Sequence, residues 1–136
     1  ALRPDLKVLD FDPSSDEFAQ FSIVWPNSWD KGTITFKAFF TVTGTNTGSV
    51  AWGLAGVAIT DDETINTAFP TPTVATAKAH SGTSNDLNVT AESGAVTISG
   101  TPANDDMVFF QVNRDVSADD QSGDARLLGI KINFII

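Results

Sequence analysis

The chain has 136 residues, 17 acidic and 8 basic, giving a formal charge of −9 at pH 7. That length makes one domain, residues 1–136, able to bury a core without metal or disulfide support, and with no cysteine there is no disulfide framework to reveal a redox compartment. The charge opposes any surface that tracks nucleic-acid phosphates or anionic lipid, so neither nucleic acid nor a membrane is an expected partner.

No apolar run approaches the roughly 20 residues that span a bilayer, and ALRPDLKVLD lacks the apolar stretch of a signal peptide. The sequon Asn88-Val89-Thr90 is therefore expected to be a chance match inside a strand. Residues 1–7 read as an extended N-terminal arm. In it Leu2 is an isolated apolar residue, Arg3 a planar donor for carboxylates, and Pro4 a brake on helix formation.

A first short strand is expected over Val8 to Phe11, and FDPSSDE turns the chain through Asp12-Pro13 and its serines. Phe18 to Val24 reads as the second strand, with Ala19, Phe21 and Ile23 on one face. WPNSWDKG is a loop built on Pro26, Asn27, Asp30 and Gly32. Thr33 to Thr41 is the clearest single-sided strand, because Ile34, Phe36, Ala38 and Phe40 alternate with Thr33, Thr35, Lys37 and Phe39.

TGTNTGS is a loop tip. Val50 to Ile59 resumes the extended chain, with Gly53 and Gly56 marking bulges or a close backbone approach. TDDETINTAF is the one candidate helix, a turn or two over Asp62 to Ala68, with Asp61 or Asp62 as N-cap. A weak strand near Val74, a polar loop from His80 to Asn85, and short strands at Leu87–Thr90 and Ala95–Ser99 follow. After the TPANDD turn, MVFFQVNR carries bulk on both faces, Met107 and Phe109 on one and Val108, Phe110 and Val112 on the other. SADDQSGD is a loop. The last run puts Leu128, Ile130, Ile132, Phe134 and Ile136 on one face and Leu127, Gly129, Lys131, Asn133 and Ile135 on the other. It is expected to run as a strand to Ile136, paired inside a sheet and leaving no room for a tail or a further domain. About nine short strands at regular spacing make an all-β, single-domain antiparallel sandwich, jelly-roll-like in its connections.

Candidate chemistry is sparse. The single histidine, His80, lies in a polar loop and cannot alone supply a His/Cys zinc site, and no thiol nucleophile exists. Asp61-Asp62-Glu63, Asp105-Asp106 and Asp119-Asp120 with Asp124 lack the spacing of a calcium loop and read as turn and cap acids; no cofactor or metal is expected. Trp25 and Trp29 flank the Pro26 turn and would suit stacking on sugar rings, although closing one end of the sandwich suits them better; Trp52 reads as core. Two-sided apolarity in MVFFQVNR and KAFF, centred on Phe39 and Phe109, predicts self-association, with a trimer favoured.

Four stretches taken in order, VLDFDPSSDEFAQFSIVWPNSWDKGTITFKAFF, VAWGLAGVAITDDETINTAF, LNVTAESGAVTISGTPANDDMVFFQVNRD and DARLLGIKINF, carry a family likeness. From Val8 to Phe134 the chain resembles small β-sandwich proteins and terminal modules of tailed bacteriophages and prophages, usually found among virion structural genes. The resemblance implies a non-enzymatic virion component made in the bacterial cytoplasm. Its first form is a capsid decoration protein on the head exterior, clamping the major capsid protein, with Leu2, Arg3, Phe39 and Phe109 as candidate oligomer or capsid contacts. The alternative is a receptor-binding fibre or spike domain that reads a host glycan through Trp25 and Trp29. A polysaccharide-active enzyme is a third possibility, for which no catalytic set is visible. No catalytic residue carries over from the family.

Overall fold

The computed structural model describes residues 3, 4 and 7–136. Among these residues ten strands run in chain order: β1 Leu9–Phe11, β2 Phe18–Val24, β3 Thr35–Val42, β4 Ser49–Val50, β5 Trp52–Ile59, β6 Thr73–Val74, β7 Lys78–Ala79, β8 Asn88–Val89, β9 Met107–Arg114 and β10 Ala125–Asn133. Eight of them form two four-stranded antiparallel sheets, ordered β1-β10-β3-β8 (sheet I) and β2-β9-β5-β6 (sheet II), while β4 and β7 make a small ribbon. Apart from the hairpin β5–β6 within sheet II, the chain alternates between the two sheets, which is the double Greek key of a jelly roll. The expected all-β sandwich is the observed fold.

The core lies between the sheets. Sheet I contributes Phe36, Ala38, Phe40 and Val42 from β3, with Ile34 just ahead of the strand, all essentially without solvent contact, which is the face that the alternation in Thr33–Thr41 selects. Sheet II answers with Leu54 and Ala58 from β5 and Val108, Phe110 and Val112 from β9. Trp52 is fully buried against Phe11 and Phe40. Gly56 faces the same core. A Cβ there would lie 2.7 Å from Ile98 Cδ1 and 2.9 Å from Phe110 Cε1, so the close approach expected of this glycine is a side-chain one. Gly53 lies on the opposite face, where a Cβ would meet Asn113 Oδ1 at 2.4 Å.

The last strand departs from its expected pattern. Leu127 is opposite Phe40 and Gly129 opposite Phe39, so Leu128 is an extra residue in a bulge. One inserted residue moves all that follows to the other face. Leu127 therefore joins Ile130 and Ile132 toward the core, and Leu128 does not. The strand also ends at Asn133: Phe134, Ile135 and Ile136 lie beyond the ladder, with Ile135 O accepting from Asp30 N at 2.8 Å.

No helix forms over Asp62–Ala68. Asp62 takes φ 68°, and Glu63 N donates to Thr60 O while Glu63 Oε2 accepts from Thr60 N, which closes a tight turn instead of opening a helix. Only the carboxylate half of a capping box is present, because Thr60 accepts through its backbone carbonyl and its hydroxyl donates to Asp106 instead. The residues after it are exposed, so no apolar stripe holds a helix against the sheets. The only helical turn among the described residues is 3-10, Val116–Ala118, with Asp115 as its cap. Ala95–Ser99 is no strand. It makes single bridges, Val96 with Ile34 of sheet I and Ser99 with Val57 of sheet II, and so crosses from one sheet to the other.

Candidate functional site

At the end where β9, β5 and β10 meet the 115–124 loop, the inner face carries a charge. Arg114 closes β9 opposite Trp52 and has no solvent exposure. Its Nε and Nη2 donate to Asp119 Oδ2 and Oδ1 at 2.7 and 2.9 Å. Nη1 donates to Phe11 O and Gly123 O, and Nη2 also to Gln121 O. Every N–H of the guanidinium is thereby used, which is the condition for burying a charge without a large penalty. Gln121, also buried, donates to Asn46 O and Gly48 O and accepts from Gly123 N. The centre joins both sheets and two loops. Its chemistry is structural, since no guanidinium N–H remains for a ligand.

The other chemically promising side chains are similarly engaged. His80 is 3% exposed, not on the surface of a polar loop, and its Nδ1 lies 2.9 Å from Asn46 O. The bond to the Asn46 carbonyl, which only accepts, needs the hydrogen on Nδ1, and with Gly82 N 3.4 Å from the same nitrogen the ring braces the 46–48 loop against residues 80–82. Asp120 accepts from Ser49 N, and Asp106, buried, accepts from Thr60 Oγ1 and Ala103 N at 2.8 Å each. Among the described residues no group of three or more His, Asp or Glu side chains could hold a metal ion. Asn88 is buried with its amide donating to Asp86 O, so the sequon is closed in the folded chain.

Trp25 and Trp29 are 8% and 3% exposed. They pack on each other at 4.9 Å between ring centroids, with Phe134 edge-on to Trp25 at 5.0 Å and Phe110 beneath it at 6.1 Å. A sugar platform needs an open ring face, so the pair does not present the glycan surface expected as the alternative; it closes that end of the sandwich. Phe39 and Phe109 are half-buried on the outer faces of sheets I and II, outside the inter-sheet core and on opposite sides of the molecule. Arg3 is exposed. Leu2 lies outside the described residues. The structure does not bring Phe39 and Phe109 together.

The outer face of sheet I carries Lys37 directly opposite Lys131, an unfavourable cross-strand pairing. Glu92 lies beside them. The Thr35 hydroxyl, then the Asn133 amide, both donating to Glu92 Oε1, hold its carboxyl below the ordinary 4.5, with Lys37 and Lys131 adding to the effect against slight desolvation. A carboxyl depressed on folding stabilises the protein above its unfolded pKa and loses that contribution as pH falls through the folded one. Thermal melts should therefore show the Glu92→Gln variant losing less stability than the parent between about pH 5 and pH 3. Parallel pH profiles would show that Glu92 is uncoupled from folding.

Sequence reasoning missed the flank where β2 faces β10. Beyond the three residues paired with β1, β10 has no partner on that side among the described residues, and β2 has none beyond β9. Between them is a cleft of about 340 Å³ whose lining includes Leu9, Ala19, Phe21, Leu127 and Ile130. The available signal was FAQFSIV itself, a strand-length run without a charge.

In comparisons with known proteins, the chain matches no family model, no curated protein and no solved structure. What the fold defines is a class, the jelly-roll sandwich.

Proposed function

We propose that the chain is a non-enzymatic structural protein of a bacteriophage virion, and that its role is decoration of the head exterior, clamping neighbouring copies of the major capsid protein. The ordered resemblance of four stretches between Val8 and Phe134 carries this. Jelly rolls serve in viral capsids and in lectins alike, so the fold suits both decoration and glycan reading and does not choose between them. The burial of Trp25 and Trp29 favours decoration, because it removes the aromatic platform on which a glycan reader at that end would depend. An acidic exterior suits a shell surface where contact with DNA is not wanted. Self-association belongs to the same proposal; the two-sided apolarity that suggests a trimer leaves the contact surface open, since Phe39 and Phe109 lie on opposite faces of the sandwich.

Imaging intact particles by cryo-electron microscopy tests the proposal. Density for this sandwich on the capsid lattice is the expected result. Density at the tail tip alone would reverse the ranking in favour of receptor binding. Hydrolysis of host polysaccharide, lost on replacing a carboxylate pair, would overturn the proposal altogether.

A further inference from the structure

Four strands form the outer edges of the two sheets, and they differ sharply. Strands β1, β6 and β8 have two or three residues each, too short to template another chain. Strand β2 has seven. It contains no charge and no proline, and its register with β9 runs from Phe18↔Asn113 to Val24↔Met107 without a bulge. Those are the devices by which monomeric proteins blunt a sheet edge, and β2 has none of them. Its side chains are also under-covered on both faces. Ala19, Phe21 and Ile23 point to the core yet are only half-buried, the first two at the open cleft, while Phe18 and Val24, on the outer face, are 55% and 60% exposed.

We infer that β2 is a homodimer edge, pairing antiparallel with β2 of a second copy about a two-fold axis at Phe21. Two copies of one strand in antiparallel register are self-complementary, as an isologous contact requires. Centring on Phe21 sets Phe18 opposite Val24 of the second copy, Ala19 opposite Ile23, and Gln20 opposite Ser22. The two most exposed apolar residues of the strand then cover each other. The second copy's inward-facing residues close over the cleft, and the two copies of sheet II become one eight-stranded sheet.

Charge selects a second copy as the occupant. In a chain of net charge −9, most surfaces of two copies repel, but the whole of β2 and the outward residues of its neighbour, Met107, Phe109, Gln111 and Asn113, are uncharged. The charges beside the strand, Lys7 in the cleft and Asp10 and Glu17 near Phe18, are of mixed sign, so no patch of one sign is offered to a partner chosen by opposite charge. The inference stands independently of the virion proposal, and it replaces the trimer through Phe39 and Phe109 with a two-fold contact at a different surface.

Sedimentation of the full chain over a concentration series tests it. The expected result is twice the 14.4 kDa chain mass at micromolar concentration, falling to the chain mass on dilution, with β2 amides exchanging more slowly in the dimer. The double variant Gln20→Lys, Ser22→Lys sets introduced lysines opposite one another across the axis. It should weaken association about tenfold or more, with the circular dichroism spectrum unchanged because both positions face solvent. Mixing it with Gln20→Glu, Ser22→Glu should restore a dimer, a rescue that mere unfolding would not give. A full chain that stays monomeric or sediments as a trimer, β2 amides insensitive to concentration, or a lysine variant that associates as tightly as the parent would each overturn the inference. A monomer whose β2 amides are already protected would mean that residues 1–6 of the same chain occupy the edge.

Discussion

Replacing Arg114 with methionine is expected to destabilise the protein by about 3–5 kcal/mol, the range for removing one partner of a buried ion pair. The side chain is similar in length and apolar, so packing against Trp52 changes little. The loss comes from what is left behind: a buried Asp119 carboxylate without its cation, and the carbonyls of Phe11, Gln121 and Gly123 without their donor. At this chain length the thermal midpoint should fall on the order of 10–20 °C. Arg114→Lys should recover little, because an ammonium cannot reproduce the planar fork that spans Asp119 and three carbonyls. Asp119→Asn keeps an acceptor and should cost less than either. Added salt should leave these differences nearly unchanged, since a pair with 0% and 2% side-chain exposure is poorly screened. Denaturant melts of the three variants with and without salt would decide it. An Arg114→Met protein within 1 kcal/mol of the parent, a value below any expected here, would show that the centre contributes little.

Phe110→Ala should cost a similar 3–5 kcal/mol, for a different reason. The ring is fully buried in mid-core, stacked on Phe21 at 5.1 Å and tilted against Trp25 at 6.1 Å. Removing it empties space that the two sheets, held apart by Trp52 and Phe36, cannot fill by collapse. The ring also explains Gly56, whose missing Cβ is space that Phe110 and Ile98 occupy. Gly56→Ala alone should therefore destabilise, yet add little in the Phe110→Ala background, where half of the obstruction is gone. A double-mutant cycle by urea denaturation measures this coupling. Strictly additive losses would mean that Ile98, not Phe110, sets the limit at Gly56.

The sequence was most legible where one face of a strand is buried and the other is not. In Thr33–Thr41 the alternation names the core residues of β3, and in Phe18–Val24 it names Ala19, Phe21 and Ile23 as the inner set of β2. It failed at Leu128, where a one-residue bulge reversed the faces of an otherwise clean alternation; nothing local in RLLGIK distinguishes the extra residue. It failed at Asp61–Glu63, where residues suited to open a helix closed a turn because Ile65, the apolar residue that follows, stays exposed and holds no helix against the sheets. The Arg114 centre was illegible for another reason. Its partners lie at residues 11, 119, 121 and 123, and only the packing of β1 beside β10 brings Phe11 O within reach. An arginine ending an apolar strand ahead of an Asp-rich loop was the one local sign. His80 looked like a loop residue because its burial is created by Asn46 and Gly48, distant in sequence.

The crossing made by residues 93–100 gives the molecule a spine. Along that side Ser93 N bonds to Phe36 O, Val96 to Ile34 in both directions, and Ser99 N to Gly56 O, so the two sheets are laced together as the leaves of a book are bound. On the other side, among the described residues, they are joined at one end alone, by the turn between β1 and β2, with Val116 N tied to Asp16 Oδ1, and by Arg114 of β9 donating to Phe11 O of β1. A body bound along one edge breathes at the other. The least costly fluctuation of this fold is a parting of β2 from β10 that leaves the spine intact. Whatever holds that fore-edge shut sets how often the core meets water, so assembly through it would stabilise each subunit as well as join them.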